Sequence, residues 1–316
     1  MRVFHGFEEF GRTLDRCVLT IGNFDGVHRA HQALVAQSAR LTATTGGSTV
    51  VLTFEPHPLC VVAPEKAPPR LTPLTEKLRL LEQAGADAVV VAPSEPALLN
   101  LEARHFVRTI VYERLHPTHI VEGPGFGFGK GRGGSTRTLA EMAAEFEFEI
   151  LIIEPVQLEI NGTGRMVSSS LVRELLFEGL VREAAACLGR CYALNGTVVR
   201  GAGRGRQLGF PTANLSVPDQ LIPADGVYTG SVRVADGVHD AAVSIGTTPT
   251  FGGRQRVVEL HLLDFDGDLY DQTLRVELGR TLRRQCRFES PDRLIEQLHR
   301  DVQQVRKLAE NGLCAG

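Results

Sequence analysis

Two histidines, His28 and His31, lie three residues apart in the segment "TIGNFDGVHRAHQAL", directly after a turn that contains two glycines and an acid. Histidines at this spacing can ligate a metal, donate hydrogen bonds to phosphate oxygens, or be ordinary side chains near a core. A zinc site would need a third ligand at a recognisable spacing, and neither a cysteine nor an HExxH partner lies nearby. The residue types alone therefore leave the core and phosphate interpretations open.

The residues that flank the histidines favour phosphate. "VLTIG" predicts a strand and "HQALVAQSARL" predicts the start of a helix, so the pair lies where a strand gives way to a helix. Ligands bind outside the carboxyl ends of parallel strands, and a helix N-terminus favours phosphate. A spacing of three also places both imidazoles on one side of the first helical turn.

The segment "GNFDGVH", with "HQ" after it, resembles the HxGH signature of the nucleotidyltransferase superfamily in the form found in prokaryotic flavin adenylyltransferases. Alanine at position 30 replaces the glycine between the histidines, and we expect the site to tolerate this methyl group. The resemblance implies an ATP site formed by Gly22, Asn23, Phe24, Asp25, His28 and His31.

A second candidate phosphate element is "VSSSLVREL". Taken alone, it is typical of a serine N-cap on an amphipathic helix. Arg173 weakens that interpretation, because the helix dipole disfavours a cation in the first turn and a bound triphosphate would offset the penalty. The segment is similar to the S-S-T-x-x-R motif of the flavin family, which implies phosphate contacts from Ser168, Ser169, Ser170 and Arg173.

Two aromatic segments also resemble the flavin adenylyltransferases. "TFEPHPLCVV" is a strand followed by a proline-rich loop, and the resemblance implies that Phe54 binds the flavin. "EGPGFGFGKGRGG" is similar to a G-x-[DN]-F-x-F-G pattern, which implies flavin contacts from Phe126 and Phe128. Gly125 stands where that pattern has Asp or Asn, so we expect a weaker or differently organised adenylylation.

The segment "VVRGAGRGRQLGFPTANL" intersperses glycines with basic residues. It is neither a Walker loop nor a GxGxxG fingerprint, and by itself it is typical of a flexible surface loop. "GFPTANL" resembles the P-T-A-N motif of riboflavin kinases, which implies ATP and Mg²⁺ binding by Thr212 and Asn214 under a flap that contains Gly203 and Gly205. Hydroxyl and amide oxygens are ligands that Mg²⁺ accepts.

Glu259 lies in "RVVELHLLDF", where the alternation of residues predicts a strand. An acid on a strand commonly belongs to its solvated face. The resemblance to riboflavin kinases implies instead that Glu259 is the general base, accepting the proton of the ribityl 5'-hydroxyl as the γ-phosphoryl group transfers.

These segments must be positioned by two kinds of fold. Residues up to about 185 alternate short β-rich runs with helical stretches, which predicts a Rossmann-like parallel sheet covered by helices. The second half has short alternating strands separated by turns, which predicts an antiparallel β-barrel or sandwich followed by a terminal helix. We expect an α/β domain over residues 1–185 and a β domain over residues 186–316.

Composition limits the classes of protein. The formal net charge of −3 argues against a protein that wraps nucleic acid. No apolar run approaches the roughly 20 residues of a membrane span, so no membrane partner is expected. Six scattered cysteines without a CxxC pair indicate reduced thiols and a cytoplasmic protein. The oligomeric state is left open.

The resemblances cover nearly the whole chain in order, and the chain is identified as similar to the prokaryotic bifunctional riboflavin kinases and FAD synthetases. They imply conversion of riboflavin and ATP to FMN and ADP, then of FMN and ATP to FAD and pyrophosphate. Two alternatives remain, a riboflavin kinase with a non-catalytic first module and a flavin-binding regulator without turnover. The set of Thr212, Asn214 and Glu259 argues against the regulator, since a binder needs no base.

Overall fold

The computed structural model describes residues 1–10, 16–201, 205, 208–250 and 253–309, with the backbone alone at 248–250 and 253–255. The chain divides into two compact units, Met1–Val167 and Ser168–Gly316. The helices between the parallel sheet and the barrel belong to the second unit by their contacts, whereas the sequence analysis placed them in the first domain.

In the described part of the first unit, six parallel strands form one sheet in the order β1-β4-β3-β2-β5-β8. The strands are β1 (Arg2–His5), β2 (Cys17–Ile21), β3 (Ser48–Glu55), β4 (Ala88–Pro93), β5 (His119–Glu122) and β8 (Glu149–Ile152). Side chains of β3 alternate between two cores, with Val50 and Leu52 in one and Val51 in the other. Both faces of the sheet are therefore covered, as is usual for parallel strands.

Helices connect these strands. They are α1 (Phe7–Phe10), α2 (Arg29–Thr45), α3 (Leu59–Val62), α4 (Leu74–Gln83), α5 (Pro96–Leu99), α6 (Ala103–Phe106), which continues as a π-helical segment Val107–Leu115, and α7 (Thr136–Ala143). The described residues of this unit also form small antiparallel pairs: β6 (Gly127–Phe128) with β7 (Gly134–Ser135), and β9 (Gln157–Ile160) with β10 (Thr163–Met166). The predicted parallel sheet is confirmed, although the sequence analysis did not find the edge strand β1.

The second unit contains a closed antiparallel barrel, which is ordered β11-β12-β15-β14-β13-β16 over the described residues. Its strands are β11 (Tyr192–Val199), β12 (Ala213–Ser216), β13 (Gly226–Val234), β14 (Gly237–Thr250), β15 (Gly253–Leu262) and β16 (Thr273–Arg283). Alternate residues of β11 are buried, which fits a strand with one face toward the barrel interior. The predicted barrel is confirmed, and the short strand β12 begins within the motif "GFPTANL" and ends one residue after it.

Among the described residues of the second unit, the barrel is accompanied by the helices α8 (Ser169–Phe177), α9 (Val181–Leu188) and α10 (Pro291–Ala309). Gly179 adopts a φ of 77° and separates α8 from α9. Helix α9 ends at Gly189, which adopts a left-handed φ of 71°. Arg283 of β16 donates to both carboxylate oxygens of the buried Asp301, which joins α10 to the barrel.

The cysteines are not all reduced. Cys17, Cys60, Cys187 and Cys286 are free thiols, as expected. Cys191 is disulfide-bonded, so the expectation of reduced thiols is wrong at that position. Across the described ranges, no helix combines the length and apolar character needed to cross a membrane.

Candidate functional site

His28 and His31 lie at the turn between β2 and α2. His28 is the N-cap of α2, and its Nδ1 accepts a hydrogen bond from the backbone N–H of His31 at 3.4 Å. The two rings stack with centroids 3.6 Å apart and an interplanar angle of 16°. Because Nδ1 of His28 accepts, its neutral ring carries the proton on Nε2, which leaves that nitrogen as a donor.

The environment of His31 keeps its ring uncharged. Burial, followed by the charges of His28 and Lys77, lowers the pKa of His31 well below 6.5. Its Nδ1 is buried and makes no hydrogen bond to any described residue. A buried polar atom without a partner is costly, so this nitrogen fits a site completed by a polar ligand group. The described residues contain no cluster of three or more His, Cys, Asp or Glu side chains suited to a metal.

Two predicted ATP-site residues lie beneath the turn and support it. Phe24 is fully buried, and its ring centroid is 4.8 Å from that of His31. The buried carboxylate of Asp25 accepts backbone N–H bonds from Leu71 at 3.0 Å and from Thr72 at 3.1 Å. The turn is thereby fixed to the segment that leads into α4.

The other two, Gly22 and Asn23, begin the turn at the end of β2. Nδ2 of Asn23 is 3.0 Å from Nε2 of His57, and the Asn23 carbonyl accepts from the Thr53 hydroxyl at 3.1 Å. A Cβ on Gly22 would lie 3.3 Å from the Phe24 ring. The contacts of Asn23 tie the turn to β3, through Thr53, and to the loop that follows it, through His57.

The sequence analysis missed a charged cluster beside the histidines. Lys77 of α4 is buried, and its Nζ lies 3.7 Å from Oε2 of Glu55, whose Oε1 accepts from Arg70 at 2.6 Å. Burial lowers the pKa of Lys77 although the Glu55 carboxylate opposes that shift. A signal was present, because Lys77 takes a position on the helical stripe of Leu74 and Leu81, where an apolar residue is expected.

The sheet order reverses beside β2, whose neighbours are β3 and β5. Such a switch point is where open α/β sheets bind ligands. Glu122, the last residue of β5, is 2 % exposed and accepts the backbone N–H of Ile21 at 2.6 Å. Burial raises the pKa of Glu122 well above 4.5. This carboxyl group, which sequence reasoning also missed, joins the ends of the two strands that carry the histidine turn and the "EGPGFGFG" loop.

The three predicted flavin residues lie around one core of the first unit. Phe54 and Phe126 are partly buried and pack against that core, and Phe128 is buried within it. The rings of Phe126 and Phe128 stack with centroids 5.4 Å apart.

Gly125 lies in open space, since a Cβ there would meet no atom within 4 Å. Its carbonyl accepts from Arg132 at 3.1 Å, and a Cβ on Gly127 would lie 2.9 Å from the same guanidinium group. The loop backbone therefore accommodates Arg132 where a larger residue at position 127 would displace it.

The serine segment begins α8 in the second unit. Ser168 is the N-cap, and its hydroxyl accepts from the Leu171 N–H at 3.2 Å, as an ordinary capping serine does. Ser169 and Ser170 lie in the first turn, whereas the buried Arg173 follows in the second turn, so the expectation that Arg173 lies in the first turn is wrong.

The barrel brings together residues that are far apart in sequence. Asn214 on β12 pairs in register with Glu259 on β15, and Thr212 lies just before β12. A Cβ on Gly201 would lie 1.9 Å from Nδ2 of Asn214, and one on Gly205 would lie 3.0 Å from Oγ1 of Thr212. These glycines are required because the backbone approaches both polar side chains closely. Gly203 lies outside the described residues.

Comparison with known proteins agrees with both halves of this description. A family model described as FAD synthetase matches residues 11–171, and one described as riboflavin kinase matches residues 188–309. The bifunctional riboflavin kinase/FMN adenylyltransferase of Escherichia coli (strain K12) is 36% identical, over 97% of each chain. The protein of the same description from Listeria monocytogenes serovar 1/2a is 35% identical, over 92% of this chain and 91% of the relative.

One solved structure is similar over nearly the full length. A protein from Streptococcus pneumoniae described as a macrolide-efflux protein superposes with a TM-score of 0.86 and 28% sequence identity, over 97% of this chain and 99% of the other. That likeness extends the agreement in fold to both units. With the two family models and the relatives, it shows that the chain belongs to the bifunctional riboflavin kinase/FMN adenylyltransferase family.

Proposed function

We propose that residues 1–185 carry the FMN adenylyltransferase activity and residues 186–316 carry the riboflavin kinase activity. The match to the FAD synthetase model ends before that boundary, at residue 171, and the match to the riboflavin kinase model begins after it, at residue 188. The observation that carries the assignment is the location of two different phosphate motifs on two different architectures, one at the switch point of a parallel sheet and one in a barrel.

In adenylylation, the FMN phosphate attacks the α-phosphorus of ATP, and pyrophosphate leaves. Nε2–H of His28 and the neutral ring of His31 donate hydrogen bonds to phosphoryl oxygens, while the turn of Gly22 to Asp25 holds them in place. For phosphate binding, the guanidinium group of Arg173 supplies a positive charge, and the hydroxyls of Ser168, Ser169 and Ser170 supply hydrogen-bond donors.

In phosphorylation, the carboxylate of Glu259 accepts the ribityl 5'-hydroxyl proton while that oxygen bonds to the γ-phosphorus and ADP leaves. The hydroxyl of Thr212 and the amide oxygen of Asn214 suit Mg²⁺, which is usually held by few protein oxygens together with substrate phosphates. When bound, Mg²⁺ would neutralise charge that develops on the phosphates. Gly203 and Gly205, as the resemblance to riboflavin kinases implies, would bind the phosphates through backbone N–H groups.

Flavin binding in the first module is assigned to Phe54, Phe126 and Phe128. The shared location of these rings around one core supports the assignment. The isoalloxazine ring is large, flat and aromatic, and offset stacking on a phenylalanine suits it. The small-molecule partners are accordingly ATP, riboflavin, FMN and FAD.

The test is chromatography of products after purified full-length protein is incubated with riboflavin, excess ATP and Mg²⁺, with a parallel reaction that starts from FMN. FMN followed by FAD is the expected result. FMN that accumulates without FAD in either reaction identifies a kinase with a non-catalytic first module. Flavin binding at equilibrium without any product identifies a regulator and overturns the proposal.

A further inference from the structure

We propose that His261 is a positioning residue for the riboflavin kinase reaction: it holds the carbonyl of Pro211 and thereby fixes the backbone that presents Thr212 to MgATP. The inference rests on the proposed roles of Thr212, Asn214 and Glu259. It adds to that site a residue to which the sequence analysis assigned no role.

The contact itself has defined polarity. Nδ1 of His261 lies 2.8 Å from the carbonyl oxygen of Pro211. A carbonyl can only accept a hydrogen bond, so Nδ1 must carry the proton. This bond spans from strand β15, which carries Glu259, to the segment that precedes strand β12.

The hydrogen bond between His261 and Pro211 lies at the end of the pairing between β12 and β15. The ladder between β12 and β15 pairs Leu215 with Val258, Asn214 with Glu259 and Ala213 with Leu260, and it goes no further. The next pair in that register would be Thr212 with His261. The His261 side chain thus supplies a hydrogen bond between the two segments where the backbone pairing ends. This bond restrains Pro211, the residue next to Thr212.

Aromatic packing keeps the imidazole in place and extends the restraint to the glycine loop. The buried ring of Phe210 meets His261 edge-on at 5.5 Å and His299 of α10 at 4.9 Å. The Phe210 N–H also donates to the carbonyl of Gly205 at 2.9 Å. The loop, the Thr212 backbone and the strand of the proposed base are therefore connected through two neighbouring side chains.

This geometry distinguishes positioning from catalysis. Nδ1 is engaged by the protein backbone, whereas Glu259 lies two residues earlier on the same face of β15. A lost restraint on Thr212 should weaken MgATP binding more than it slows proton transfer by Glu259. The expected signature is a change in KM for MgATP with a smaller change in kcat.

The experiment compares three variants in the full-length protein. His261→Leu removes the donor, and His261→Asn keeps an N–H at nearly the position of Nδ1. His261→Gln places its amide one methylene farther out. We expect KM for MgATP in the kinase reaction to rise about tenfold in His261→Leu, in line with the loss of one hydrogen bond and the burial of its unpaired acceptor. His261→Asn should stay within about twofold of the parent, and His261→Gln should resemble His261→Leu.

FMN adenylylation, measured on the same preparations, is an activity of the first module and should not change, while circular dichroism and thermal unfolding report whether the barrel is folded. An unchanged KM in folded His261→Leu overturns the proposal. If His261→Leu fails to fold, the test compares His261→Asn with His261→Gln. Equal KM values for MgATP in these two variants overturn the proposal. Thr212→Val tests the proposed role of Thr212 separately from that of His261. Full kinase activity in Thr212→Val refutes the assignment of Thr212. Impaired activity in Thr212→Val together with normal activity in His261→Leu refutes only the role of His261.

Discussion

The site in the first unit is made by one continuous segment, while the site in the barrel is made by strands that pair. His28 and His31 share a helical turn, so their proximity follows from three residues of spacing. Asn214 and Glu259 meet only because β12 and β15 are antiparallel neighbours in a fixed register. A local segment can be recognised by its chemistry alone, whereas a register site needs the fold before its chemistry becomes visible.

The two sites also differ in what holds them. Buried titratable groups surround the first, and burial displaces the pKa values of His31, Lys77 and Glu122. Close backbone approach defines the second, where Gly201 and Gly205 lie against Asn214 and Thr212. We therefore expect the first site to respond most to changes of charge and pH, and the second to changes of volume.

The largest expected effect is on the barrel site, from Glu259→Ala. Loss of a general base should lower kcat for FMN formation about 10²–10⁴-fold, while FAD formation from supplied FMN persists. Steady-state rates from riboflavin and from FMN check both statements on one preparation. Loss of both activities in a folded protein would show that the chemistry is not divided between the units as proposed.

The reverse lesion is His31→Ala, which should lower FAD formation about 10²–10³-fold, as the loss of a positioned donor does elsewhere. FMN formation should be unaffected. The exposed His105 provides a matched control, and His105→Ala should leave both rates unchanged. Equal adenylylation rates in the two histidine variants would refute the assignment of His31.

Volume is tested by Gly201→Ala. The new Cβ would lie 1.9 Å from Nδ2 of Asn214, so the amide must move. We expect the kinase kcat/KM to fall about tenfold or more, in keeping with the roughly 1–3 kcal/mol that overpacking costs. Gly164→Ala is the control, because the nearest atom to its Cβ is 4.0 Å away. Similar kinase kinetics in both variants would mean that the close approach of Gly201 is not needed.

A smaller gain is expected in the first unit from Gly125→Asn. The position is open, and an amide there restores the polar group of the family pattern. One added hydrogen bond predicts adenylylation about 2–10-fold faster, with no change in kinase activity. An unchanged or lower FAD rate would indicate that the contact is already supplied by another group.

The smallest effect concerns pH and stability, and it follows from Glu122. Because burial raises the pKa of this carboxyl above 4.5, the folded state keeps a proton that the unfolded state loses. The contribution of Glu122 to the free energy of unfolding is thus fully present below pH 4.5 and is lost as pH rises through the raised pKa. Glu122→Gln keeps an acceptor for the Ile21 N–H but cannot ionise.

Urea unfolding at pH 5 and pH 8 checks this point. The parent protein should lose stability relative to Glu122→Gln between these values, because the folded parent must give up the proton that its buried carboxyl group retains. The lowered pKa of His31 changes the free energy of unfolding with pH in the opposite direction. Because the parent and Glu122→Gln both contain His31, its contribution cancels in the comparison. Glu159→Gln, at an exposed position of β9, is the control. Parallel pH profiles for the parent and Glu122→Gln would contradict the buried-acid interpretation.

The sequence by itself determined the class of each half and the motifs within it. Runs such as "TVVLTF" and "ADAVVVA" predict buried parallel strands, and "TIGNFDGVHRAHQAL" places the histidines at a strand-to-helix turn, as found. These features are local: strand and helix periodicities, glycine turns and a three-residue spacing depend on neighbours in the chain. The alternation in the second half likewise predicted a barrel, although not its strand order.

Only the tertiary structure decided which distant groups meet. Glu55 meets Lys77, Glu122 meets Ile21, Asn214 pairs with Glu259, and His261 reaches Pro211. Each contact depends on strand order, register or the docking of a helix, and these follow from packing of the whole unit. A polar residue on an apolar stripe or at a strand end signals such a contact, but its partner is fixed only when the chain folds, because burial requires that the polar group be paired.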